Sequence, residues 1–445
     1  MILFCLSLWV QDDPQMDLVE SMSVEYVMLD VFAHNPDGSP VVDLQASDFR
    51  LKEDKKDIKF EIFQVVDYRF APPQQEFAKM QEEADPDNPV QVFPQTFILV
   101  LEFSMADTNQ VRSTVEELKQ YFQTAQVRPN VNFFVVSLEH GRITSDFTNQ
   151  PSVVYQQLLE YEKKLIMNPG GNLMVNRETK LSFLESELND CTRFITGFNS
   201  GGGDVFGAEN DASKTREYND CITLAHDRFL NMHAAHTKGI LAALESLTMA
   251  FARVPGMKSI YFVSPGFSLR PGSEAASLTR SYADRMKAGS YVSSNQSQGA
   301  APTPAHIATS NLTREFMRIA HAATANRMVF HTFRSGGQTS LHRMGADGGV
   351  AGLNEDTSLH FDAFSEEMNK GLSYLAETTG GEFVPESPLG PSLQRVLDNH
   401  SLHYVLGYPK PSGRKKFRSI KVTCNREDVK LSYRSGYYPD PKKAK

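Results

Sequence analysis

Residues Thr96 to Asp107 read TFILVLEFSMAD, and this stretch decides the fold. An apolar run with β-branched and aromatic members is typical of a strand that is buried on both faces in a parallel sheet. The run stops at Glu102 and Ser104, which predicts polar oxygens at the carboxyl end of the strand. Because open α/β sheets bind their ligands at that edge, the sequence places a candidate site there.

Apolar strands alternate with amphipathic helical segments from Thr96 to about Asn399, which predicts a doubly wound, mostly parallel sheet covered on both faces. Four strands are predicted: Phe97–Leu101, Asn132–Ser137, Ser259–Ser264 and Met328–Phe333. Six helices are predicted: Val111–Ala125, Pro151–Lys164, Lys238–Arg253, Thr313–Ala323, Phe364–Thr378 and Pro391–Asn399. Two inserts, near 167–218 and 270–310, exceed ordinary connections, and loops of that length usually carry function or disorder.

Both ends of the chain have β character. Residues 23–70 and 401–440 contain short alternating runs separated by turn residues, and each set alone is too small to be stable. We therefore expect the two ends to pair in a small discontinuous β-sandwich into which the α/β region, residues 95–400, is inserted. The basic stretch Lys410 to Lys421 is expected in a hairpin turn of this sandwich. Residues 71–94 are rich in proline, glutamine and acids, which predicts a linker.

The first residues suggest export. MILFCLSLWV, followed at once by QDDPQ, is too short to span a bilayer and matches the apolar region of a secretory signal, although no basic residues precede it. Residues 1–22 are therefore expected to be signal-like or disordered, and the protein to be secreted or to lie in the periplasm or cell envelope; a cytoplasmic chain is the alternative. No stretch elsewhere predicts a transmembrane segment.

The net charge of the chain argues against one class of partner, nucleic acid. The formal charge of -9 and the pI near 5.8 argue against nucleic acid, which requires a basic face. A chain of 445 residues with 40% hydrophobic content is long and apolar enough to build real cores.

Cysteine usage agrees with export. Cys191 and Cys221 flank a glycine-rich insert, and a disulfide between them would close a loop of about thirty residues and contribute roughly 3 to 4 kcal/mol. Two free thiols on adjacent helices are the alternative. Cys424 is expected to be a buried residue of a strand, and no cysteine spacing suggests a metal cluster.

Several short motifs occur together in this chain: GSPVVDL (38–44), DFRLKED (48–54), PGMKS (255–259), AETTGG (376–381), YVLGY (404–408) and RSGYY (434–438). Together they resemble the von Willebrand factor A-related proteins of the acidobacterial type, over nearly all of the chain outside the two inserts. The resemblance implies a Rossmann-type, von Willebrand factor A-like domain in an exported bacterial protein with an adhesion-type fold.

The family's cation-binding motif is altered here. Its first strand normally ends in Asp-x-Ser-x-Ser, whereas here Glu102 replaces the aspartate, Ser104 is kept and Ala106 replaces the second serine. Pro265 stands where the family has a further aspartate. Thr237 matches the family's loop threonine, which precedes an amphipathic helix.

The resemblance therefore implies a degenerate metal-ion-dependent adhesion site formed by Glu102, Ser104 and Thr237, which would take Mg²⁺ or another divalent cation. Mg²⁺ demands near-octahedral oxygen ligands at short distances. A relic site whose residues only cap the ends of strands and helices is the alternative reading.

These observations predict an exported, non-enzymatic module that binds a protein or another extracellular macromolecule. The alternative is a structural subunit of an envelope or extracellular assembly, which self-assembles through edges of the sandwich. His233 and His236 have neither a third ligand at a suitable spacing nor a partnered nucleophile, so surface or cap histidines are expected and an enzyme is not.

Overall fold

The computed structural model describes residues 26–70, 95–106, 108–125, 128, 130–139, 141–144, 146–167, 181–197, 211–291, 307–335, 355–385, 388–410 and 417–437. The protein is mixed α/β, with one six-stranded, mostly parallel sheet and two four-stranded antiparallel sheets. The predicted mixed class and mostly parallel sheet are confirmed. The von Willebrand factor A-like fold stays a prediction.

The parallel sheet is built around the strand that opened the sequence analysis. Its strands are β5 (Gln95–Leu101), β6 (Val131–Ser137), β7 (Gly141–Arg142), β8 (Lys258–Ser264), β9 (Met328–Arg334) and β10 (Phe383–Val384). They lie in the order β10-β9-β8-β5-β6-β7, and each neighbouring pair is parallel except β6 with β7. Each residue of β5 is buried, as expected for a strand covered on both faces.

Helices cover the two faces of this sheet. They are α1 (Thr108–Thr124), α2 (Pro151–Met167), α3 (Leu181–Gly197), α4 (Asp211–Ala250), α5 (Ala276–Tyr291), α6 (Thr313–Ala325), α7 (Glu355–Thr379) and α8 (Leu389–Asn399). Alternate side chains of β5 enter different cores, because successive residues of a strand point to opposite faces. Ile98 packs with residues of α3 to α7, and Leu99 with residues of α1, α2 and α8.

The described parts of the two inserts are helical. The insert near 167–218 contains α3 and the start of α4, and the insert near 270–310 contains α5. In α3, Leu181, Leu184 and Leu188 form a buried stripe with helical spacing, and this stripe joins the core on one side of the sheet. The sequence left the order of these inserts open, and the structure shows helices in both.

Cys191 of α3 and Cys221 of α4 form a disulfide, with Cα atoms 5.9 Å apart and a sequence separation of 30. The bond ties the added helix α3 to the long helix α4 beside it. Cys424 is a free cysteine, half-buried at the end of its strand, and is therefore less buried than predicted.

The antiparallel sheets combine strands from both ends of the described chain. They contain β1 (Tyr26–His34), β2 (Phe49–Glu53), β3 (Lys56–Ile58), β4 (Ile62–Asp67), β11 (Leu402–Pro409), β12 (Arg418–Cys424), β13 (Lys430–Tyr433) and β14 (Gly436–Tyr437). One sheet has the order β13-β1-β11-β4 and the other β14-β12-β2-β3. The central contacts pair β1 with β11 and β2 with β12.

The predicted hairpin around Lys410 to Lys421 is wrong, because β11 and β12 belong to different sheets and are not paired with each other. Gly380 follows α7 with φ of 87°, the left-handed conformation that glycine readily adopts at the end of a helix.

Two predictions lie outside the described residues, the signal-like segment 1–22 and the linker 71–94, as does part of the second insert, 292–306. Among the helices that the structure describes, none combines the length and apolar character needed to cross a bilayer.

Candidate functional site

The polar end of β5 lies inside the protein, under the carboxyl edge of the parallel sheet. Glu102 is fully buried, and its carboxylate accepts hydrogen bonds from neighbouring hydroxyl and amide groups. The Ser264 hydroxyl, at the end of β8, donates to Glu102 Oε2 at 2.6 Å. The Ser104 backbone N–H donates to Oε1 at 2.8 Å, and the Ser104 hydroxyl contacts the same oxygen. Both carboxylate oxygens therefore already have partners within the protein.

A second acid, Glu139, comes to the same place from the end of β6. Its Oε1 accepts from the Phe103 backbone N–H at 2.7 Å, and its Oε2 accepts from the Ser137 hydroxyl at 2.8 Å. Because β5 and β6 are adjacent and parallel, residues that follow their carboxyl ends meet at one edge. Glu139 is half-buried, so this acid reaches closer to solvent than Glu102 does.

Helix α4 crosses above these strand ends. His236 Nε2 lies 3.1 Å from the Ser104 hydroxyl oxygen, and both side chains are half-buried. Thr237, the predicted loop threonine, instead lies in the interior of this 40-residue helix. It is buried in the helical stripe that also contains His233, Ile240 and Leu244. In the described part of the chain, Thr237 has no hydrogen bond to Glu102 or Ser104.

His233 lies one helical turn before His236 and is almost fully buried, which corrects the prediction of a surface or cap histidine. Its Nδ1 is 2.9 Å from Glu274 Oε1, and its ring stacks on Phe229 with centroids 4.1 Å apart. Glu274 is also buried, and its pKa is lowered by the hydrogen bond and charge of His233, which outweigh the opposing effect of burial. This pair holds α4 against the segment before α5.

Burial controls the protonation of the edge residues. Burial raises the pKa of Glu102 above its ordinary value, although the hydrogen bonds from Ser104 and Ser264 act in the opposite direction. Burial raises the pKa of Glu139 as well, and the nearby charge of Glu102 adds to the effect. Burial, with a contribution from His233, lowers the pKa of His236 to about 4. At neutral pH the histidine is therefore neutral, and the two acids hold protons at higher pH than free glutamates do.

The divalent cation implied by the family resemblance does not fit this arrangement. The four carboxylate oxygens of Glu102 and Glu139 each accept a hydrogen bond from a hydroxyl or an amide, so a cation would have to compete with these internal donors. Thr237 belongs to a helical stripe and not to a loop beside these oxygens. The described residues also contain no cluster of three histidine, cysteine or acidic side chains that could hold a metal ion. A near-octahedral set of free oxygens, which Mg²⁺ needs, is not preformed.

The structure thus brings together two of the three predicted metal-site residues, Glu102 and Ser104, whereas Thr237 lies in helix α4, next to His236, and has no hydrogen bond to either of them in the described part of the chain. It adds Glu139, Ser264 and His236, which the motif does not predict. The signal for Glu139 was its place two residues beyond the strand that became β6, next to the central strand. His236 precedes Thr237 in the sequence, and the helical phase of α4 decides which of the two meets Ser104.

No family model matches the chain, and a comparison with curated proteins also gave no match. Among solved structures, the chain is similar to the three N-terminal domains of the type V pili tip protein Mfa5 from Porphyromonas gingivalis. The two share 11% sequence identity with a TM-score of 0.30, and the match covers 78% of this chain and 56% of that one. The chain thus spans little more than half of that structure. A TM-score of this size supports no conclusion about fold or function.

Proposed function

We propose that this chain is a non-enzymatic, protein-binding module of the adhesion type, which docks a partner on the carboxyl edge of its parallel sheet. One observation supports this proposal above the others: Ser104, Glu139 and His236 come from three separate elements and meet, half-buried, above the buried carboxyl of Glu102. We name these three residues the edge cluster. Polar side chains that converge at this edge are the usual basis of ligand binding in open α/β sheets.

Docking at the edge cluster proceeds through protein side chains and not through a bound cation. The buried Glu102 is hydrogen-bonded on both oxygens, so it fixes the turn that carries Ser104 instead of ligating a metal. In this proposal Glu102 and Ser104 occupy the position of the family's cation-binding motif at the end of the strand but do not bind a divalent cation.

The chemistry of the edge cluster favours binding over catalysis. The Ser104 hydroxyl lies 3.1 Å from His236 Nε2, which is a suitable distance between a nucleophile and its base. However, the same hydroxyl contacts the Glu102 carboxyl, and a histidine with a pKa of about 4 is a weak base at neutral pH. Within the described residues, no carboxylate is hydrogen-bonded to His236 to orient it as a catalytic base.

The proposal includes export to the periplasm, the cell envelope or the medium. Structural disulfides persist in oxidising compartments, and Cys191 and Cys221 are joined in one. The apolar N-terminal decamer and the family resemblance agree with the same location.

The test is capture of a partner from the envelope and culture-medium fractions of the source organism by the full chain. Ser104→Arg and Glu139→Gln should each reduce the captured amount of the same partner at least about tenfold, which corresponds to a loss of about 1.4 kcal/mol. Arg128→Gln is the matched control, because Arg128 lies at the opposite, amino-terminal edge of the sheet next to Gln95. Equal capture by the wild type and both edge variants would show that the partner does not dock at the edge cluster.

A structural subunit remains the second candidate, because one edge of the sandwich is open to pairing. Strand β4 ends its sheet, has six residues without lysine or proline, and exposes 48% of Val65. The other terminal strands in the described sheets have two residues or begin with lysine, and such features protect edges from pairing. Regular multimers in sedimentation experiments, which Val65→Lys abolishes and Val42→Lys preserves, would favour this candidate.

A further inference from the structure

Arg334, the last residue of β9, is buried without a counter-ion. Its side chain is 3% exposed, and its Nε and Nη2 atoms have no hydrogen-bond partner in the described part of the chain. No acidic side chain of the described residues lies within ion-pair distance of this guanidinium. Burial lowers the pKa of Arg334 to about 10, so the group still carries its positive charge at neutral pH.

Three half-buried arginines of this protein have partners. Arg327 pairs with Asp30, and Arg418 pairs with Glu53. Arg434 donates to the backbone carbonyls of Met28 and Thr324 at 2.9 and 3.1 Å. Taking an unpaired charge out of water costs several kcal/mol, so a buried guanidinium without a partner indicates a missing anion.

The position of Arg334 is that of a ligand site. Its register partner is Ser264, which hydrogen-bonds Glu102, so Arg334 ends the strand next but one to β5 at the same edge of the sheet. The following residue, Ser335, donates its backbone N–H to the Ser264 carbonyl at 2.9 Å. The Ser335 hydroxyl is itself buried and has no hydrogen-bond partner in the described residues. Successive residues of an extended segment point to opposite faces of a sheet, so Arg334 alone presents its unused donors on its face of the edge where ligands of open α/β sheets bind.

Glu102 does not neutralise this charge. With strands about 4.8 Å apart, the ends of β5 and β9 are separated by about 10 Å. Both carboxylate oxygens of Glu102 accept hydrogen bonds from other groups, and in the described part of the chain this acid forms no ion pair with Arg334. The site beside Arg334 is therefore electropositive. The acids at the same edge, Glu102 and Glu139, already accept hydrogen bonds from groups within the protein.

We propose that Arg334 binds an oxyanion of the carboxylate or phosphate class. A guanidinium presents two parallel N–H groups that match the two oxygens of such an anion. This inference rests on the proposed docking function, in which the anion is the carboxylate of an acidic side chain of the partner. A free phosphate would use the same donors, and the experiment separates the two sources.

The experiment measures thermal unfolding of the full chain in sodium acetate, sodium phosphate and sodium chloride at matched ionic strength. We expect a saturable rise of the wild-type Tm, about 1.5 °C at a tenfold excess of anion over its Kd, in acetate or phosphate but not in chloride. A response to acetate identifies the carboxylate as the natural group, and a response to phosphate alone identifies a phosphate.

Three variants complete the test. Arg334→Gln should lose the anion response, and Arg334→Lys should weaken it, because an ammonium lacks the planar fork. Arg270→Gln removes an exposed arginine near the same edge and should keep the full response. An equal Tm shift in Arg334→Gln and the wild type, or the same response to chloride, would overturn the proposal. If Arg334→Gln does not fold, an undiminished response in Arg334→Lys has the same meaning.

The outcome is distinct from that of the partner capture. Loss of capture in the edge-cluster variants, together with no anion response in the wild type, would retain the docking function and reject the anion site. An anion response that depends on Arg334, together with unchanged capture, would retain the site and reject docking at the edge cluster.

Discussion

Replacing Glu53 with alanine is expected to destabilise the protein by about 5 kcal/mol, enough to unfold the sandwich at ordinary temperatures. Glu53 ends β2 in the interior of the sandwich, where Tyr408 and Tyr437 donate their hydroxyls to its Oε2 at 2.8 and 3.0 Å. Arg418 of β12 pairs with the other oxygen. Removing the carboxylate leaves a charge and two phenol hydroxyls without their acceptor, and each such loss is costly inside a protein.

Urea unfolding followed by circular dichroism measures this effect. Asp43→Ala is the control, because Asp43 also pairs with an arginine, Arg426, but at the surface, where solvent screens the pair and its contribution to stability is small. Glu53→Gln should fall between the two variants, since the amide keeps an acceptor for one hydroxyl. A midpoint for Glu53→Ala close to that of Asp43→Ala would show that this network does not hold the sheets together.

Acidification is expected to destabilise the protein through two histidines at the junction of the parallel sheet and the sandwich. The rings of His331 and His400 lie 4.1 Å apart, and Phe32 packs on His400 at 4.5 Å. Both histidines are buried, and the Nε2 atom of each has no hydrogen-bond partner among the described residues. Burial lowers the pKa of His331 to about 3, and burial together with nearby histidines lowers that of His400 well below its ordinary value.

The sign of the effect follows from where the protons bind. Below pH 6.5 the unfolded chain takes up protons on both histidines while the native state does not, so stability is complete above that pH and falls below it. Between pH 7.5 and pH 5 the loss is about 2 kcal/mol for each histidine, or about 4 kcal/mol for the pair. The raised pKa values of Glu102 and Glu139 act in the opposite direction, because the native state then gains protons on acidification.

Comparison with His400→Phe separates these contributions. The substitution keeps a ring of similar size and removes one titrating group, so its stability should fall by about 2 kcal/mol less than that of the wild type over the same range. Urea unfolding at several pH values between 7.5 and 5 gives both curves. Parallel curves would show that His400 does not stay neutral in the native state.

The local sequence pattern was sufficient to predict features that depend on a single strand or helix. The apolar run before Glu102 predicts a strand buried on both faces, and it became the inner strand β5. The polar residues after it were expected at the carboxyl edge, where Glu102 and Ser104 lie together. The sequence left the order of region 181–197 open because a glycine-rich insert adjoins it, and the leucine stripe of α3 is recognised only once the core that buries it is known.

Which residues form the edge cluster depends on contacts between elements that are distant in the sequence, and the local pattern does not show these contacts. The motif points to Thr237, but helix α4 extends through that position, and its phase brings His236 to Ser104 instead. The sequence also does not reveal that Arg334 lacks a partner. A strand that ends in arginine normally gives its guanidinium a carboxylate or water, and only the assembled fold shows that none of the described acids reaches it.

Calorimetric titration of the full chain with Mn²⁺ and Mg²⁺ tests the central claim most directly, which is that the edge cluster forms a docking surface without a bound cation. The account predicts only dilution heats for the wild type, for Glu102→Gln and for Thr237→Ala, since the carboxylate oxygens at this edge already accept internal hydrogen bonds. A saturable heat with the wild type that disappears in Glu102→Gln would contradict the account and restore a metal-dependent site.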